Sequence, residues 1–286
     1  MEKIAVLGLG LIGGSFGLAF RQTGIARQIA GYDSNPDVTY RALTRGAITH
    51  MCITVEEAVQ QADMVVLATP ILAVPQLLER IAPLLNPGVL VTDTASTKTQ
   101  ILNLAETLLP SNVVFVGGHP MAGSEQSGIE AAEERLFDGC AYCLSPAAHT
   151  TPEAITQLSQ IVQQLGAYPI VLDAARHDRL VAGISHLPFV LSSVLVQVLS
   201  KGEDWPDMTR LAAGGFRDMS RLAAGSPTMY RDICLTNKEA ILDWLDALAW
   251  QLERVRSLIA MNNDDLEPYF AQAKLIREAA YSQPIS

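Results

Sequence analysis

The sequence predicts an α/β fold: a doubly wound sheet domain over residues 1–172, followed by an all-helical domain over residues 173–286. Up to about residue 172, short apolar runs alternate with helical stretches, a pattern typical of parallel β/α units. Beyond that point the strand-like runs disappear and helical patterns continue to the end. At roughly 100–200 residues per domain, the chain has room for both.

Seven apolar runs are the strand candidates of the first domain: KIAVLG, QIAGYD, MVVLAT, GVLVTD, NVVFVG, AYCLS and YPIVLD. Helix boundaries separate them. Thr54 and Glu57 have the spacing of a capping box. Gly24 and Gly46 stand where helices should end, and Pro152 suits a first helical turn.

In the helical half, one seam of apolar residues has spacings of four and three: Ile241, Leu245, Leu248, Leu252, Val255 and Ile259. This spacing indicates helices packed side by side. Such a seam is more often core than partner surface, but it could also pack against a second copy of the chain. We expect a homodimer.

Net charge and hydropathy limit the partners. The formal net charge of -10 argues against nucleic acid, because phosphate backbones are held by a surplus of Lys and Arg. The apolar run at residues 4–20 is shorter than the roughly 20 apolar residues of a membrane span, and it is rich in glycine. It also has no small-residue cleavage site behind it. We expect a cytoplasmic protein without a membrane or nucleic-acid partner.

Four cysteines are too few and too irregularly placed for a disulfide framework, although Cys140 and Cys143 form a CxxC. The run at residues 140–144 predicts a strand, in which residues three apart point to opposite faces. No second CxxC or nearby CxxH completes a metal-binding set. We expect unpaired thiols here.

Three glycines, Gly8, Gly10 and Gly13, form a GxGxxG motif between the first predicted strand and the first predicted helix. Glycines in this context permit a tight turn, a close approach to a pyrophosphate and close packing of helix on sheet. The helix N-terminus favours the negative charge. We therefore predict a Rossmann-like dinucleotide-binding domain in which these glycines, with Leu11 and Ile12, contact the cofactor.

The second strand candidate ends in Asp33, 20 residues after Gly13, where a carboxylate can hydrogen-bond the ribose hydroxyls of NAD. The same carboxylate would repel a 2′-phosphate, and no arginine immediately follows it, so we expect NAD rather than NADP. Alternatively, Asp33 only begins the turn before Pro36. Thr69 and Pro70 end a later strand and should line the same crevice, although Pro70 could simply initiate a helix.

Polar residues cluster in four further stretches: TDTASTK (92–98), GGHPMAGSEQSG (117–128), ISHLP (184–188) and GGFRDMSRLAAGSPTMYRD (214–232). Together they resemble the prephenate and arogenate dehydrogenases, over essentially the whole chain and in the same order. GGHPMAG is the most specific element. The chain has no room after residue 281 for the regulatory or chorismate mutase domain that many relatives append, so we expect no dedicated allosteric domain.

The resemblance implies oxidative decarboxylation of prephenate to 4-hydroxyphenylpyruvate, or of arogenate to tyrosine, with hydride transfer to NAD. No residue decides between the two substrates. The chemistry requires a hydrogen-bond acceptor for the ring hydroxyl, a positioned nicotinamide and cations for the carboxylates, but no metal. By resemblance, His119 accepts the hydroxyl proton, and Ser96 binds the same hydroxyl and the nicotinamide. Alternatively, Ser96 caps the helix that begins near Lys98.

The resemblance also implies four substrate-binding residues. Arg217 and Arg221 are four apart and share a face if helical, and guanidinium groups suit a substrate with two carboxylates. Arg221 is the favoured carboxylate ligand, with Glu125 near it at the mouth of the site. His186 is placed beside the substrate entrance. The alternatives are a surface pair of Arg217 with Asp218 and a core role for His186.

The remaining histidines, His50, His149 and His177, are interpreted as surface or capping residues. Two other functions remain open. A β-hydroxyacid dehydrogenase or imine reductase shares this domain order and would use Lys98 or a lysine of the helical domain as acid/base, but it leaves GGHPMAG unexplained. An NAD(H)-sensing protein without turnover would produce no NADH from prephenate.

Overall fold

The structure, a computed structural model of the chain, describes residues 1–123, 126–261 and 264–282. The chain divides into two compact units, Met1–Lys238 and Glu239–Ser286. The last strand ends at Val171, and the described residues after it form helices and turns. The predicted fold class is therefore confirmed, whereas the domain boundary at residues 172 and 173 stays a prediction.

A single sheet lies at the centre of the first unit. Its strands are, in chain order, β1 (Lys3–Leu7), β2 (Gln28–Tyr32), β3 (His50–Met51), β4 (Met64–Leu67), β5 (Leu90–Asp93), β6 (Val114–Pro120), β7 (Ala141–Pro146) and β8 (Tyr168–Val171). All seven predicted strands are present, and the two-residue β3 was not predicted. The spatial order is β3-β2-β1-β4-β5-β6-β7-β8, which begins with the strand order of a Rossmann fold.

One strand pair departs from the expected parallel units. β6 and β7 are antiparallel, with His119 opposite Cys143, whereas the other neighbouring pairs of the sheet are parallel. A parallel connection needs a crossover, usually a helix. The described part of the link at 121–140 contains only a short 3₁₀ turn, Ile129–Ala131, so the chain reverses here instead.

Six helices accompany the sheet: α1 (Leu11–Thr23), α2 (Pro36–Thr44), α3 (Val55–Val59), α4 (Val74–Ile81), α5 (Thr99–Leu108) and α6 (Pro152–Gln164). The predicted boundary signals are confirmed. Thr54 caps α3 by accepting the N–H of Glu57. Gly24 ends α1 in the left-handed region, and Pro152 occupies the first turn of α6.

Two apolar layers cover the two faces of the sheet. Ile4 and Val6 of β1 belong to one buried cluster, whereas Ala5 and Leu7 belong to the other. Because both faces are covered, the central strands are apolar at successive positions and not only at alternate ones. The layers hold the carboxyl ends of β1, β4 and β5 side by side, so the loops that follow these strands share one edge of the sheet.

The helical half begins with α7 (Ala174–Val181), a π-helical turn (Ala182–His186) and α8 (Leu187–Leu199), and continues with α9 (Trp205–Leu211), α10 (Gly214–Ser220), α11 (Pro227–Thr236), α12 (Lys238–Ala260) and α13 (Leu266–Ser282). The continuous run Ala174–Leu199 is long and apolar enough to cross a membrane by length and composition alone. Core helices of soluble proteins pass the same criterion. The run carries polar side chains that the chain buries, among them His177, Asp178 and His186.

The predicted apolar seam lies on α12. Within one chain it is only partly covered, since Leu252 is 60% exposed and Ile259 is 58% exposed. A core role therefore fails for the second half of the seam. The alternative of packing against a second copy accounts for this exposure.

The four cysteines are free thiols, as expected for the CxxC. Cys143 lies within β7 and is buried, whereas Cys140 precedes the strand. Burial raises the pKa of Cys140 to about 11, so its reactive thiolate form is disfavoured at neutral pH.

Candidate active site

The glycine-rich loop joins β1 to α1, and steric limits explain two of its glycines. Gly8 has a φ of +91°, and a Cβ there would lie 2.5 Å from the carbonyl oxygen of Ala68. A Cβ on Gly13 would lie 1.9 Å from the carbonyl oxygen of Gly8. A side chain at either position would collide with backbone, so the close packing of α1 against β1 and β4 requires glycine.

Gly10 is different, because a Cβ at this position would meet nothing within 4 Å. Gly10 is the N-cap of α1, and no side chain caps the helix there. The N–H groups of the first turn, which includes the half-buried Leu11 and Ile12, are thus left to an anionic ligand. These observations fit the pyrophosphate of a dinucleotide.

The loop after β4 borders the glycine-rich loop. The methyl carbon of Thr69 would lie 3.0 Å from a Cβ on Gly8, and the hydroxyl oxygen of Thr69 is buried without a partner. A buried hydroxyl without a hydrogen bond is costly, which suits a ligand-facing position. Pro70 precedes the 3₁₀ turn Ile71–Ala73, so the alternative of a helix initiator also describes it.

Asp33 follows β2 and holds the glycine-rich loop. One carboxylate oxygen accepts the N–H of Leu9 at 2.9 Å, and the other accepts the N–H of Asn35 at 3.0 Å. The carboxylate therefore lies beside the loop, as the ribose prediction requires, and it also shapes the turn before α2. Both interpretations of Asp33 are compatible with these contacts.

A buried ion pair fixes the loop between β5 and α5. The Nζ of Lys98 donates to the carboxylate of Asp93 and, at 2.7 Å, to the carbonyl oxygen of Gly118. Both charged side chains are fully buried. Asp93 also accepts the N–H groups of Ala95 and Gly118. The pair thus binds the loop that carries Ser96 to the segment of β6 that carries His119.

His119 lies on β6, is 8% exposed and contacts a second histidine. Its Nδ1 lies 2.9 Å from the Nε2 of His177 on α7. The Nδ1 of His177 lies 2.9 Å from the carboxylate of Asp178. The interpretation of His177 as a surface or capping residue is wrong, because this side chain is fully buried between His119 and Asp178. His50 and His149 are exposed, as expected.

Asp178 also caps α5. Its two oxygens accept the N–H groups of Lys98 and Thr99 at 2.8 and 2.9 Å. Burial alone would raise the pKa of Asp178, but the hydrogen bonds from His177, Thr99 and Lys98 outweigh it and hold the pKa below its usual value. The N–H groups at the start of α5 are therefore bound by a side chain from α7. No side chain of the segment before α5 caps this helix, so the alternative role of Ser96 as the cap is wrong.

The surroundings of His119 favour its neutral form. Burial lowers the pKa of His119 well below its usual range, and the neighbouring His177, Lys98 and His186 lower it further. Burial also lowers the pKa of Lys98, against the attraction of Asp93. A neutral imidazole is the form that can accept a proton.

His186 ends the π-helical turn and is fully buried, which matches its alternative interpretation as a core histidine. Its Nδ1 lies 3.2 Å from the side-chain nitrogen of Asn237, which also donates to the backbone oxygen of Asp178 at 2.8 Å. Its Nε2 is buried without a partner. Burial lowers the pKa of His186 to about 4, against the attraction of Asp178. An unpaired ring nitrogen next to the Asp178 network leaves a ligand role open.

The two predicted arginines are exposed, with Arg217 on α10 and Arg221 at the start of the 3₁₀ turn Arg221–Ala224. Ser192 on α8 accepts the N–H of Ala223 at 2.8 Å, which anchors that turn. Among the described residues, no ion pair joins Arg217 to its predicted alternative partner Asp218.

Glu125 lies outside the described residues. Roles for these residues stay predictions.

Sequence reasoning missed His177, Asp178 and Asn237 and gave Lys98 only secondary roles. One signal was available. His177 and Val181 are four residues apart on α7 and both are buried, so His177 lies on the apolar face of its helix. The long contacts of Asp178 and Asn237 have no sequence signature.

One group of potential metal ligands lies elsewhere, at β3. His50, Cys52 and Glu57 bring one ligand atom each within 4.8 Å of the others. Burial, followed by Glu57, raises the pKa of Cys52 to about 11. The ammonium of Lys3 also binds the backbone oxygen of Glu57. A protonated thiol and a nearby cation both disfavour a metal ion, and we assign it no such role.

Comparison with known proteins gives the same family for both halves. Residues 16–171 match the family model described as the nucleotide-binding domain of prephenate dehydrogenase, and residues 173–274 match its dimerization domain. The prephenate dehydrogenase of Bacillus subtilis is 36% identical over 280 residues, which cover 97% of this chain and 76% of that protein.

Two of the similar solved structures show how far the likeness extends along the chain. Prephenate dehydrogenase from A. aeolicus, in complex with hydroxyphenyl propionate and NAD+, has a TM-score of 0.91 at 28% identity and covers 98% of both chains. Synechocystis arogenate dehydrogenase has a TM-score of 0.84 at 33% identity and covers 98% of this chain and 100% of that one.

Proposed function

The chain belongs to the prephenate dehydrogenase family, and from that premise we propose how its residues carry out the reaction. It is an NAD-dependent dehydrogenase that oxidises and decarboxylates prephenate or arogenate. The expected cofactor, NAD, is confirmed. The observation that carries the residue assignment is the burial of His119 at the end of β6, which lowers its pKa.

The substrate chemistry defines what the site must supply. The ring hydroxyl lies para to a quaternary carbon that bears a carboxylate. Removal of hydride from the carbinol carbon creates a dienone, which is a vinylogous β-keto acid, and loss of carbon dioxide then gives a phenol. When bound, NAD accepts the hydride. The protein must accept the hydroxyl proton and hold the carboxylates.

His119 accepts that proton. Its Nδ1 is engaged with His177, so Nε2 is the nitrogen left for the substrate hydroxyl. The low pKa of His119 keeps the acceptor form populated at neutral pH. Ser96 lies in the loop fixed by Asp93 and Lys98, and we assign it a hydrogen bond to the same hydroxyl and to the nicotinamide.

Cationic and polar groups of the helical half bind the rest of the substrate. Arg221 holds a carboxylate, and Arg217 assists it. His186 lies near the entrance and offers its unpaired Nε2. Glu125, outside the described residues, stands near Arg221 at the mouth of the site in this proposal.

The cofactor site uses the glycine-rich loop for the pyrophosphate and Asp33 for the ribose. The second domain, residues 173–286, binds substrate and forms a homodimer. Two observations support the dimer. The matching family model is described as a dimerization domain, and the apolar seam on α12 is exposed. We further propose a cytoplasmic location.

The family assignment disfavours the alternative of a β-hydroxyacid dehydrogenase or imine reductase, and so does Lys98. That enzyme would need a lysine at the substrate. Lys98 is fully buried and donates to Asp93 and Gly118, so its ammonium is committed to the protein interior.

Steady-state kinetics with prephenate and arogenate, assayed in parallel by NADH formation, tests the proposal and measures the preference. NADH formation with at least one of the two supports it. Turnover of neither substrate, by a folded protein that binds NAD, would overturn it and leave the sensor alternative.

A further inference from the structure

Behind His119, a line of hydrogen bonds leads into the protein interior through His177 to Asp178. We infer that Asp178, acting through His177, fixes which nitrogen of His119 is bare and provides a buried path for the proton of the reaction. The inference rests on the proposed role of His119 as the base. His177 and Asp178 are positioning residues in this account.

The donor and acceptor roles follow from Asp178. A carboxylate accepts hydrogen bonds and donates none, so the Nδ1 of His177 carries the hydrogen that joins it to Asp178. A neutral His177 then has a bare Nε2, which accepts the Nδ1–H of His119. A neutral His119 is thereby left with a bare Nε2. This nitrogen can accept the hydroxyl proton without any prior rearrangement.

The same contacts carry the proton onward. As hydride leaves for the nicotinamide, the O–H bond of the substrate breaks and a new N–H bond forms at the Nε2 of His119. The Nδ1 proton of His119 passes to the Nε2 of His177, which becomes an imidazolium beside the Asp178 carboxylate. After product release the transfers reverse, and His119 gives its Nε2 proton to water. Protons and charge balance at each step.

The groups around His119 disfavour a positive charge on its ring. His119 faces His177 from α7, Lys98 from the start of α5 and His186 from the π-helical turn, and each of these lowers its pKa. Across the sheet it is paired with Cys143, a thiol whose pKa burial raises. None of these groups is an anion, whereas His177 contacts Asp178 directly.

Asp178 also controls the other side of the site. It binds the backbone N–H groups of Lys98 and Thr99, directly after the loop that carries Ser96. One carboxylate therefore positions both the base and the loop that holds the second proposed hydroxyl ligand. A substitution at Asp178 would disturb both the base and this loop. The variants that test the proton path, which we call the relay, are therefore made at His177.

His177→Phe removes both ring nitrogens, whereas His177→Gln keeps an amide oxygen that can accept the Nδ1–H of His119 but cannot carry a proton onward. We expect kcat to fall roughly 100- to 1000-fold in His177→Phe, in the lower part of the range of about 10²–10⁴ that is usual for general base catalysis. His177→Gln should recover part of this loss. The exposed His149→Gln is the matched control. The KM for NAD should change less than about twofold in all three.

Two further measurements separate the relay from simple structural support. The first is the rate of single-turnover hydride transfer in mixtures of light and heavy water. Its dependence on the heavy-water fraction should indicate that two protons move in wild type and one in His177→Gln. In a His119→Asn background, His177→Phe should add little further loss, because the two residues act as a unit. Additive losses, or a His177→Phe variant within about twofold of wild type, would overturn the inference.

Nitrogen NMR of the NAD-bound protein shows which ring nitrogen of each of the five histidines carries a hydrogen, once the signals are assigned with single variants. This test does not require that His177→Phe folds. We expect a hydrogen on Nδ1 of His119 and a bare Nε2. A hydrogen on Nε2 would overturn the inference even if His119→Asn abolishes turnover. A His119→Asn variant with normal turnover would instead reject the proposed role of His119 as the base, on which the inference rests.

Discussion

At the scale of single residues, the candidate site combines a buried histidine of lowered pKa with a buried ion pair. Burial and the positive potential of Lys98 both disfavour an imidazolium at His119. The charge of Lys98 is balanced locally by Asp93, so it does not require a counter-ion from the substrate. In the proposed mechanism, His119 stays neutral while the exposed Arg217 and Arg221 supply the positive charge for the anionic substrate.

His119→Asn should lower kcat by roughly two to four orders of magnitude, the usual contribution of a general base, while NAD binding is retained. NADH formation and calorimetric NAD titration measure the two effects, with His149→Asn as control. In wild type, kcat/KM should persist below pH 6.5 and fall only at lower pH, because the folded pKa of His119 is depressed. Near-normal turnover in His119→Asn would remove His119 from the mechanism.

Arg221→Ala should raise the KM for prephenate or arogenate about ten- to more than hundredfold. A lost charged hydrogen bond costs about 1.5–3 kcal/mol. The KM for NAD should change little, and inhibition by phenols that bear a carboxylate should weaken. Arg210→Ala on α9, another exposed arginine, is the control. If both variants keep substrate KM within about twofold of wild type, the carboxylate is bound by other residues, of which Arg231 is the next candidate.

At the scale of elements, the carboxyl ends of β1, β2, β4, β5 and β6 supply the candidate cofactor-binding and catalytic residues, and α7 supports them from outside the sheet. Asp33 after β2 holds the loop between β1 and α1 through the N–H of Leu9. The antiparallel pairing of β6 with β7 interrupts the parallel sheet next to His119. The first helix beyond the sheet then inserts His177 and Asp178 behind this edge.

Asp33→Ala should narrow the preference for NAD over NADP, because the carboxylate that repels a 2′-phosphate is removed. It should also raise the KM for NAD, since the glycine-rich loop loses its hydrogen bond at Leu9. Ratios of kcat/KM for the two cofactors measure the change. Asp37→Ala, an exposed carboxylate on α2, should leave the ratio as in wild type. A wild-type enzyme that prefers NADP would contradict the ribose assignment.

At the scale of the whole molecule, the sheet half buries its apolar residues in two continuous layers, whereas α12 and α13 expose large apolar side chains. Trp250, Leu252 and Phe270 are all more than half exposed. Such exposure is expected if the apolar side chains of α12 and α13 are buried in an interface with a second copy of the chain. Stability measured on the isolated chain would then depend on protein concentration.

The free energy of unfolding should decrease as pH falls from about 6.5 to about 4. His186 has a folded pKa of about 4, while an unfolded histidine has a pKa of about 6.5, so in this window the unfolded state binds the extra proton. Complete titration corresponds to about 3 kcal/mol. Urea unfolding at fixed protein concentration measures the slope, and His186→Leu should reduce it to the part that the depressed pKa of His119 contributes. Stability that rises as pH falls through this window would contradict the prediction.

Patterns with a short range could be predicted from the sequence. Three features depend only on residues that are close together in the chain: the seven strands, the capping of α3 by Thr54 and the glycine-rich loop. The two-residue β3 was missed because its pairing with β2 involves too few residues to produce a period. The reversal of β7 was missed because alternating strands and links do not specify direction.

The support of the site could not be predicted because it depends on contacts between distant positions. Lys98 and Asp178 are 80 residues apart, and His119 and His177 are 58 apart. A histidine followed by an aspartate in a helical pattern is equally compatible with a solvent-facing position. Only the packing of α7 against α5 and β7 places His177 in the interior.

The burial of Asp93 and Lys98 has a consequence for how this sequence can change over evolutionary time. Removing one partner of a buried pair leaves an uncompensated charge and costs about 3–5 kcal/mol, out of a total stability of about 5–15 kcal/mol. Replacing both by apolar residues removes the charges but leaves the N–H groups of Ala95 and Gly118 and the carbonyl oxygen of Gly118 without these buried partners. A lineage that substitutes one position at a time must therefore pass through an intermediate that has lost about 3–5 kcal/mol of stability. The pair is expected to persist for this reason, independently of any direct part in chemistry.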